Sequence, residues 1–286
     1  MKRGLTFLIA IVITATGFAA QNIDSSLFYF QKGLEEKKAK RYLVASDNFS
    51  KAIQLNAAYV DAYIEKGFAN NEIRRTDAAK ADFTKALELD PQNETVIKEL
   101  TTIYFNYRQY QQALDMAQKC KTCIDKDRII ALCYFNMEDF GKAEKLLLAL
   151  VNKNPEDAEL TYTLASNYLA MGFEPKAITW YEKAVLVDAS KSKWFFELGL
   201  LYSNTNNYKK AVIAYNKAAE LGFIKGNDFN ENLGFAYIYS SDFDNGARLL
   251  DDLISRRPGD KELIRDIATA FYDSRNYDKS LDYCQK

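Results

Sequence analysis

The sequence predicts an all-α fold, a right-handed α-solenoid of stacked antiparallel helix hairpins, roughly seven and a half units long at a period of about 34 residues. Three observations predict it. A small–aromatic–small spacing recurs: Ala45, Phe49 and Ala52 return 34 residues later as Ala79, Phe83 and Ala86, and Ala177, Tyr181 and Ala184 return 34 residues later as Ala211, Tyr215 and Ala218. A second signature lies upstream, a Gly or Ala followed three residues on by Tyr, as in Ala165 with Tyr168, Gly199 with Tyr202 and Gly234 with Tyr237. Turn-formers and breakers are sparse, with 12 Gly and 4 Pro in 286 residues, which favours long helices over many short strands.

The first twenty residues stand apart. Lys2 and Arg3 give a positive start, Leu5 to Thr16 is apolar and uncharged, and Gly17, Phe18, Ala19 and Ala20 offer small residues around a cut. This is the three-part pattern of a secretory signal peptide, with cleavage expected after Ala19 or Ala20. The apolar run is shorter than the ~20 residues a membrane span needs. No Cys follows it, so no lipoprotein anchor is expected there. No later stretch is apolar enough to span a bilayer. The mature chain is therefore expected to be soluble and exported, to the periplasm or cell envelope.

The array then runs from residue 26 to residue 286, in units 26–59, 60–93, 94–123, 124–157, 158–191, 192–226, 227–260 and a partial copy at 261–286. Residues at i, i+4 and i+7 share one helix face, so each small–aromatic–small set lets two helices approach closely while the ring fills the space beside them. Pro91, Pro155 and Pro258 close several units, since proline cannot continue the helical hydrogen-bond ladder. A lone hairpin cannot bury its apolar face, and stacked neighbours bury it for each other. The third unit is about four residues short and carries Ala117 and Cys120 where an aromatic and Ala are usual. The seventh uses Gly246, Leu250 and Leu253, and the eighth has Ser280 in place of Ala. The eighth stops inside its second helix without the polar capping element that arrays usually carry. A longer chain, or a partner that supplies the next helices, is expected on that ground.

These residues resemble the tetratricopeptide repeat family, whose first helix carries an aromatic, Leu-Gly and Tyr, and whose second carries Ala, an aromatic, Ala and then Pro. Unit two has Tyr63, Gly67, Ala79, Phe83, Ala86 and Pro91, and unit six has Phe195, Leu198, Gly199, Tyr202, Ala211, Tyr215 and Ala218. The resemblance implies a superhelix whose concave face is lined mainly by the first helix of each unit. Carried over position by position, that face holds Phe68, Phe105, Phe135, Tyr162, Leu169, Phe196, Leu200, Phe235 and Tyr239. An apolar stripe of this kind suits a peptide or helix of a partner, and it also suits packing between neighbouring helices. Some family members grip a C-terminal carboxylate with Lys and Asn on their first units. Here the matching places hold Phe30, Leu34, Ile64 and Phe68, so that clamp is not expected.

The composition narrows the chemistry. Histidine is absent, which removes Ser-His and Cys-His nucleophile pairs. Charges nearly cancel, with 38 Lys and Arg against 39 Asp and Glu, unlike the basic footprint of a nucleic-acid binder. No enzyme activity and no cofactor are expected. Cys120-Lys121-Thr122-Cys123 has a redox spacing, but it sits at the end of a helical unit with no strand before it, unlike a thioredoxin-type site. A structural disulfide among Cys120, Cys123 and Cys133 at the shortened unit is one reading, and small buried side chains are the other. With three sulfurs and no His, a zinc site would also need a carboxylate, and no metal is expected. Most aromatics, among them Tyr63, Phe83, Tyr104, Tyr168 and Tyr215, fall at packing positions and are expected in the core. The functional expectation is a non-catalytic protein-interaction scaffold of the bacterial cell envelope. The alternative is a periplasmic sensor or assembly module of a larger envelope protein.

Overall fold

The computed structural model describes residues 25–286, so the leader expected at residues 1–20 lies outside the described residues. Among the described residues there are helices and turns and no strand. The chain divides into two compact units, one ending at Glu138 and one beginning at Asp139. The first unit holds α1 (25–38), α2 (Tyr42–Leu55), α3 (Val60–Glu72), α4 (Thr76–Leu89), α5 (Glu94–Asn106), α6 (Tyr110–Lys119) and α7 (Lys126–Asn136). The second holds α8 (Phe140–Lys153), α9 (Ala158–Ala170), α10 (Glu174–Val187), α11 (Ser192–Asn204), α12 (Tyr208–Glu220), α13 (Asn227–Tyr239), α14 (Phe243–Arg256), α15 (Lys261–Asp273) and α16 (Tyr277–Cys284). Within each unit, helices adjacent in sequence pack together, and in the second α13 also touches α11 and α15. Odd-numbered helices open the sequence repeats and even-numbered helices close them.

The turns inside the hairpins share one device. Each is closed by a residue in the left-handed region, at φ between 57° and 76°: Lys40, Arg74, Arg108, Glu138, Gly172, Asn206, Ser241 and Arg275. The next residue's N–H then reaches back five positions, from Arg75 to the Asn70 carbonyl, from Phe173 to Tyr168 and from Asn207 to Tyr202, at 2.7–2.9 Å. This satisfies carbonyls that the helix end would otherwise leave open. Among these hairpin turns glycine takes the left-handed position at Gly172 alone, and Gly222 adopts it in the connection after α12. The opening helices are capped by side chains in several repeats: Asn93, Asp157 and Asp260 accept from the N–H groups of Val96, Leu160 and Leu263. Such a cap contributes about 1 kcal/mol.

The core of each regular hairpin is a ring pressed into a gap sixteen positions upstream. A Cβ added at Gly67 would lie 2.7 Å from the Phe83 ring, and one at Gly199 would lie 2.6 Å from the Tyr215 ring. Repeat seven uses an aliphatic knob instead, with Leu250 as close as 2.7 Å to a Cβ built at Gly234. Phe83, Tyr215 and Leu250 are fully buried, so none can swing away. Ser280, standing where Ala was usual, is buried and donates to the Ala268 carbonyl at 2.8 Å. In repeat two the closing helix also carries a buried carboxylate. Asp82 accepts from Asn70 at 2.8 Å and from Lys66 at 2.9 Å, and Asn70 in turn accepts from Ser46 at 3.1 Å. Every member is satisfied, which a buried polar group requires.

Repeat three departs from this scheme. Its closing helix α6 has 10 residues, against 14 in α4 and 13 in α12. The knob and gap positions hold Ala117 and Thr101, both buried, and both line a cavity of about 400 Å³. The lost last turn of α6 is replaced by the loop that joins Cys120 and Cys123 in a disulfide. Cys133, grouped with them on sequence, is a free thiol. It is buried in α7 against Ala113 and Leu114 of α6, and that burial pushes its pKa up to about 11.

Candidate functional site

The residues carried over from the repeat pattern all lie on odd-numbered helices. In the first unit, Phe68, Phe105 and Phe135 are half-buried. Phe68 meets Phe83 edge-on at 5.3 Å and carries the Lys37 ammonium 4.9 Å above its ring, and Phe105 meets Tyr110 edge-on at 5.6 Å. In the second unit, Leu169 is exposed while Tyr162, Phe196, Leu200, Phe235 and Tyr239 are half-buried.

The rings in the second unit pair mostly with residues outside the predicted set. Tyr162 stacks on Trp194 at 4.7 Å and 11° and meets Tyr181 edge-on at 5.5 Å. Phe196 stacks on Phe223 at 4.5 Å and lies 5.8 Å from Phe229. Tyr239 stacks on Tyr208 at 4.6 Å. Phe235 packs on the cluster around Ile267 and Phe271. The stripe is thus partly core: its rings are half-buried and their faces are committed to neighbouring side chains. Sequence reasoning missed Trp194, Phe223 and Tyr208, because they lie outside the pattern's groove positions. The 32-residue spacing of Tyr162 and Trp194 would have been a signal for the first of them.

Charged groups accompany the rings. The Tyr162 hydroxyl donates to Glu197 Oε1 at 3.3 Å, and Lys193 pairs with the same oxygen at 3.5 Å. Burial first, and the Glu197 charge second, raise the Tyr162 pKa, so the phenol stays protonated. The other oxygen, Glu197 Oε2, is buried without a hydrogen-bond partner. Lys191 bridges to Glu159 at 2.8 Å, tying the start of α11 to the start of α9. Tyr162 and Leu169, seven residues apart, share one face of α9.

A second constellation lies in repeat three. The Glu94 carboxylate, at the start of α5, accepts from Lys121 N at 2.9 Å, from Thr122 N at 3.1 Å and from Thr122 Oγ1 at 3.0 Å. These bonds, led by the Thr122 N–H, hold its pKa below the ordinary carboxylate value. Glu94 Oε2 also lies 3.1 Å from Cys120 Sγ. Lys126 Nζ donates to the Cys120 carbonyl at 2.9 Å, closing the loop from the other side.

Comparison with known proteins identifies the repeat. Residues 60–93 and 195–221 match the tetratricopeptide repeat family. The C-terminal part of a TPR repeat-containing protein from Cytophaga hutchinsonii is 17% identical, with a TM-score of 0.63 over 82% of this chain and 98% of that one. YrrB, described as a TPR protein with an unusual peptide-binding site, is 23% identical, with a TM-score of 0.50 over 61% of this chain and 92% of its own. Human protein O-mannosyl-transferase TMTC3 is 26% identical over 176 residues, 59% of this chain and 19% of that protein. The chain spans less than a quarter of the length of the curated relatives it matches. The fold is that of a tetratricopeptide repeat solenoid, and two stretches of the chain match the family's repeat.

Proposed function

We propose that this chain is a non-catalytic docking scaffold of the bacterial cell envelope, which holds a peptide segment or helix of a partner protein against its odd-numbered helices. A tetratricopeptide repeat array implies a protein-interaction scaffold. The finer reading rests on one observation, the surface of α9 and α11. There an exposed Leu169 and a half-buried Tyr162, backed by the buried Trp194 on which it stacks, stand on rigid helices. Leucine and a half-exposed ring offer apolar contact to a peptide or helix. Stacking fixes the rings before a ligand arrives, which lowers the ordering cost of binding. The peptide-binding site named for YrrB agrees with this use of the fold. TMTC3 is a transferase by name, and no activity is carried over from a protein of which this chain covers 19%. The described residues contain no helix long and apolar enough to cross a membrane.

Phe196 sits among Phe223, Phe229 and Tyr215, so a charge there would damage the core as well as the surface. Leu169→Glu is the cleaner test. A displayed peptide library panned against the full chain should yield a shared sequence motif, and Leu169→Glu should weaken its binding roughly tenfold, the loss of about 1.4 kcal/mol, with helicity intact. No enriched motif, or equal binding by the variant, would sink the docking reading. The export reading rests on residues 1–20, and mass spectrometry of the chain recovered from an envelope fraction should find its first residue at Ala20 or Gln21.

A further inference from the structure

We infer that Glu94, Cys120 and Cys123 form a zinc site when the Cys120–Cys123 bond is reduced. The inference is independent of the docking role. On sequence, the sulfurs lacked a carboxylate. The fold supplies one from 26 residues upstream, because the start of α5 lies beside the loop that ends α6. The Glu94 carboxylate and the two sulfurs all lie within 4.8 Å of one another. Tetrahedral zinc, with Zn–S of about 2.3 Å and Zn–O of about 2.1 Å, asks for S···O near 3.6 Å and S···S near 3.8 Å. Opening the S–S bond is the main movement required, and a Cys-x-x-Cys loop is a common zinc chelate.

The surroundings agree with that use. A disulfide sulfur has no proton to donate, so the 3.1 Å approach of Glu94 Oε2 to Cys120 Sγ joins two acceptors in the bonded state. A bound cation would turn that contact into shared ligation. The Lys121 and Thr122 N–H groups and the Thr122 hydroxyl already orient the carboxylate, as an outer shell does for a metal ligand. Glu94 and Cys123 also line the 400 Å³ cavity left by the missing ring, which gives water access to a fourth coordination position. Cys133, buried against α6, and Cys284, on α16 of the other unit, take no part.

The exchange balances. A phosphine or dithiol reductant delivers two electrons to the S–S bond and is itself oxidised, and two protons complete the thiols. Zinc then displaces both protons and forms two Zn–S bonds. An oxidant of the dithiol reverses the sequence, remaking the S–S bond and releasing the ion. Disulfide and metal are therefore alternative clasps on the same loop.

The test uses the full chain, reduced with a phosphine and then freed of it, with Co²⁺ as the optical probe. One equivalent of Co²⁺ should bind with thiolate-to-metal charge-transfer absorption, and Zn²⁺ should remove it. The oxidised chain should give no such band. Cys123→Ser should abolish it, Glu94→Gln should weaken binding by roughly tenfold or more, and Cys284→Ser should change nothing, with helicity followed by circular dichroism throughout. The wild-type comparison of reduced and oxidised chains needs no variant, so a misfolded variant does not blunt the test. No charge-transfer band on reduction, a band in the oxidised chain or in Cys123→Ser, or unaltered affinity in Glu94→Gln would overturn the assignment.

Discussion

Repeats six and three solve the same closing problem differently. In repeat six a fully buried Tyr215 presses against Gly199, with its hydroxyl 3.3 Å from Ser203 Oγ across the hairpin, and no covalent link is involved. In repeat three Ala117 faces Thr101, the ring is missing, and a cavity stands beside both. Closure there passes to Cys120–Cys123 and to Glu94, which holds the Lys121–Thr122 turn from the far side of the hairpin. Packing is distributed over dozens of weak atom contacts, whereas a clasp is local and can be undone by chemistry. The regular hairpins thus rest on packing, and the third adds a local covalent loop at the end of α6.

Several substitutions separate the two modes. The largest effect is expected from Tyr215→Ala, which should cost about 3–5 kcal/mol of stability in chemical denaturation. Ala117→Leu, which adds bulk beside a cavity, should be tolerated or stabilising, and a loss as large as that of Tyr215→Ala would erase the distinction. Gly199→Ala comes next, at about 1–3 kcal/mol, because the added methyl meets a ring that cannot retreat. Thr101→Ala at the matching position of repeat three should stay below that. Cys123→Ser should cost about 2 kcal/mol by the chain-entropy estimate for so short a loop. The smallest effect is conformational. Gly172→Ala meets no atom within 4 Å, so its expected loss of about 1 kcal/mol measures the left-handed backbone alone.

Thiol chemistry sharpens the same contrast. The Cys133 pKa is raised to about 11, so the neutral thiol is the folded form. The stability this group adds is fully present below the ordinary thiol pKa and is lost as pH rises through about 11. At pH 8, exposed Cys284 should be alkylated rapidly and Cys133 only on unfolding, read by mass spectrometry. Equal rates for the two would contradict the buried position of α7 against α6.

Much of the fold was legible in the sequence because its determinants are periodic. Ala79, Phe83 and Ala86, picked out by spacing alone, are all fully buried, and the sixteen-position pairing of gap and knob follows from the same period. The hairpin turns were not legible. Lys40, Arg74, Arg108 and Arg275 adopt left-handed backbone although nothing in their side chains signals it, since tertiary packing of the two helices imposes the turn. The candidate binding face was half legible. Repeat positions found Tyr162, Phe196 and Tyr239, but Trp194, Phe223 and Tyr208 come from other positions or from a loop, and only the fold brings them to the rings they stack on. Glu94 was invisible for the same reason. A carboxylate 26 residues from a cysteine has no sequence signature, and its role depends on where α5 begins.

The contrast between packed and clasped hairpins is tested most directly by hydrogen–deuterium exchange on the full chain, compared before and after reduction under chelating conditions. Exchange should quicken in α6, in the 120–125 loop and at the start of α7, while α11 and α12 keep their protection. Unchanged protection in α6, or an equal rise across α11 and α12, would contradict a third repeat held by its clasp.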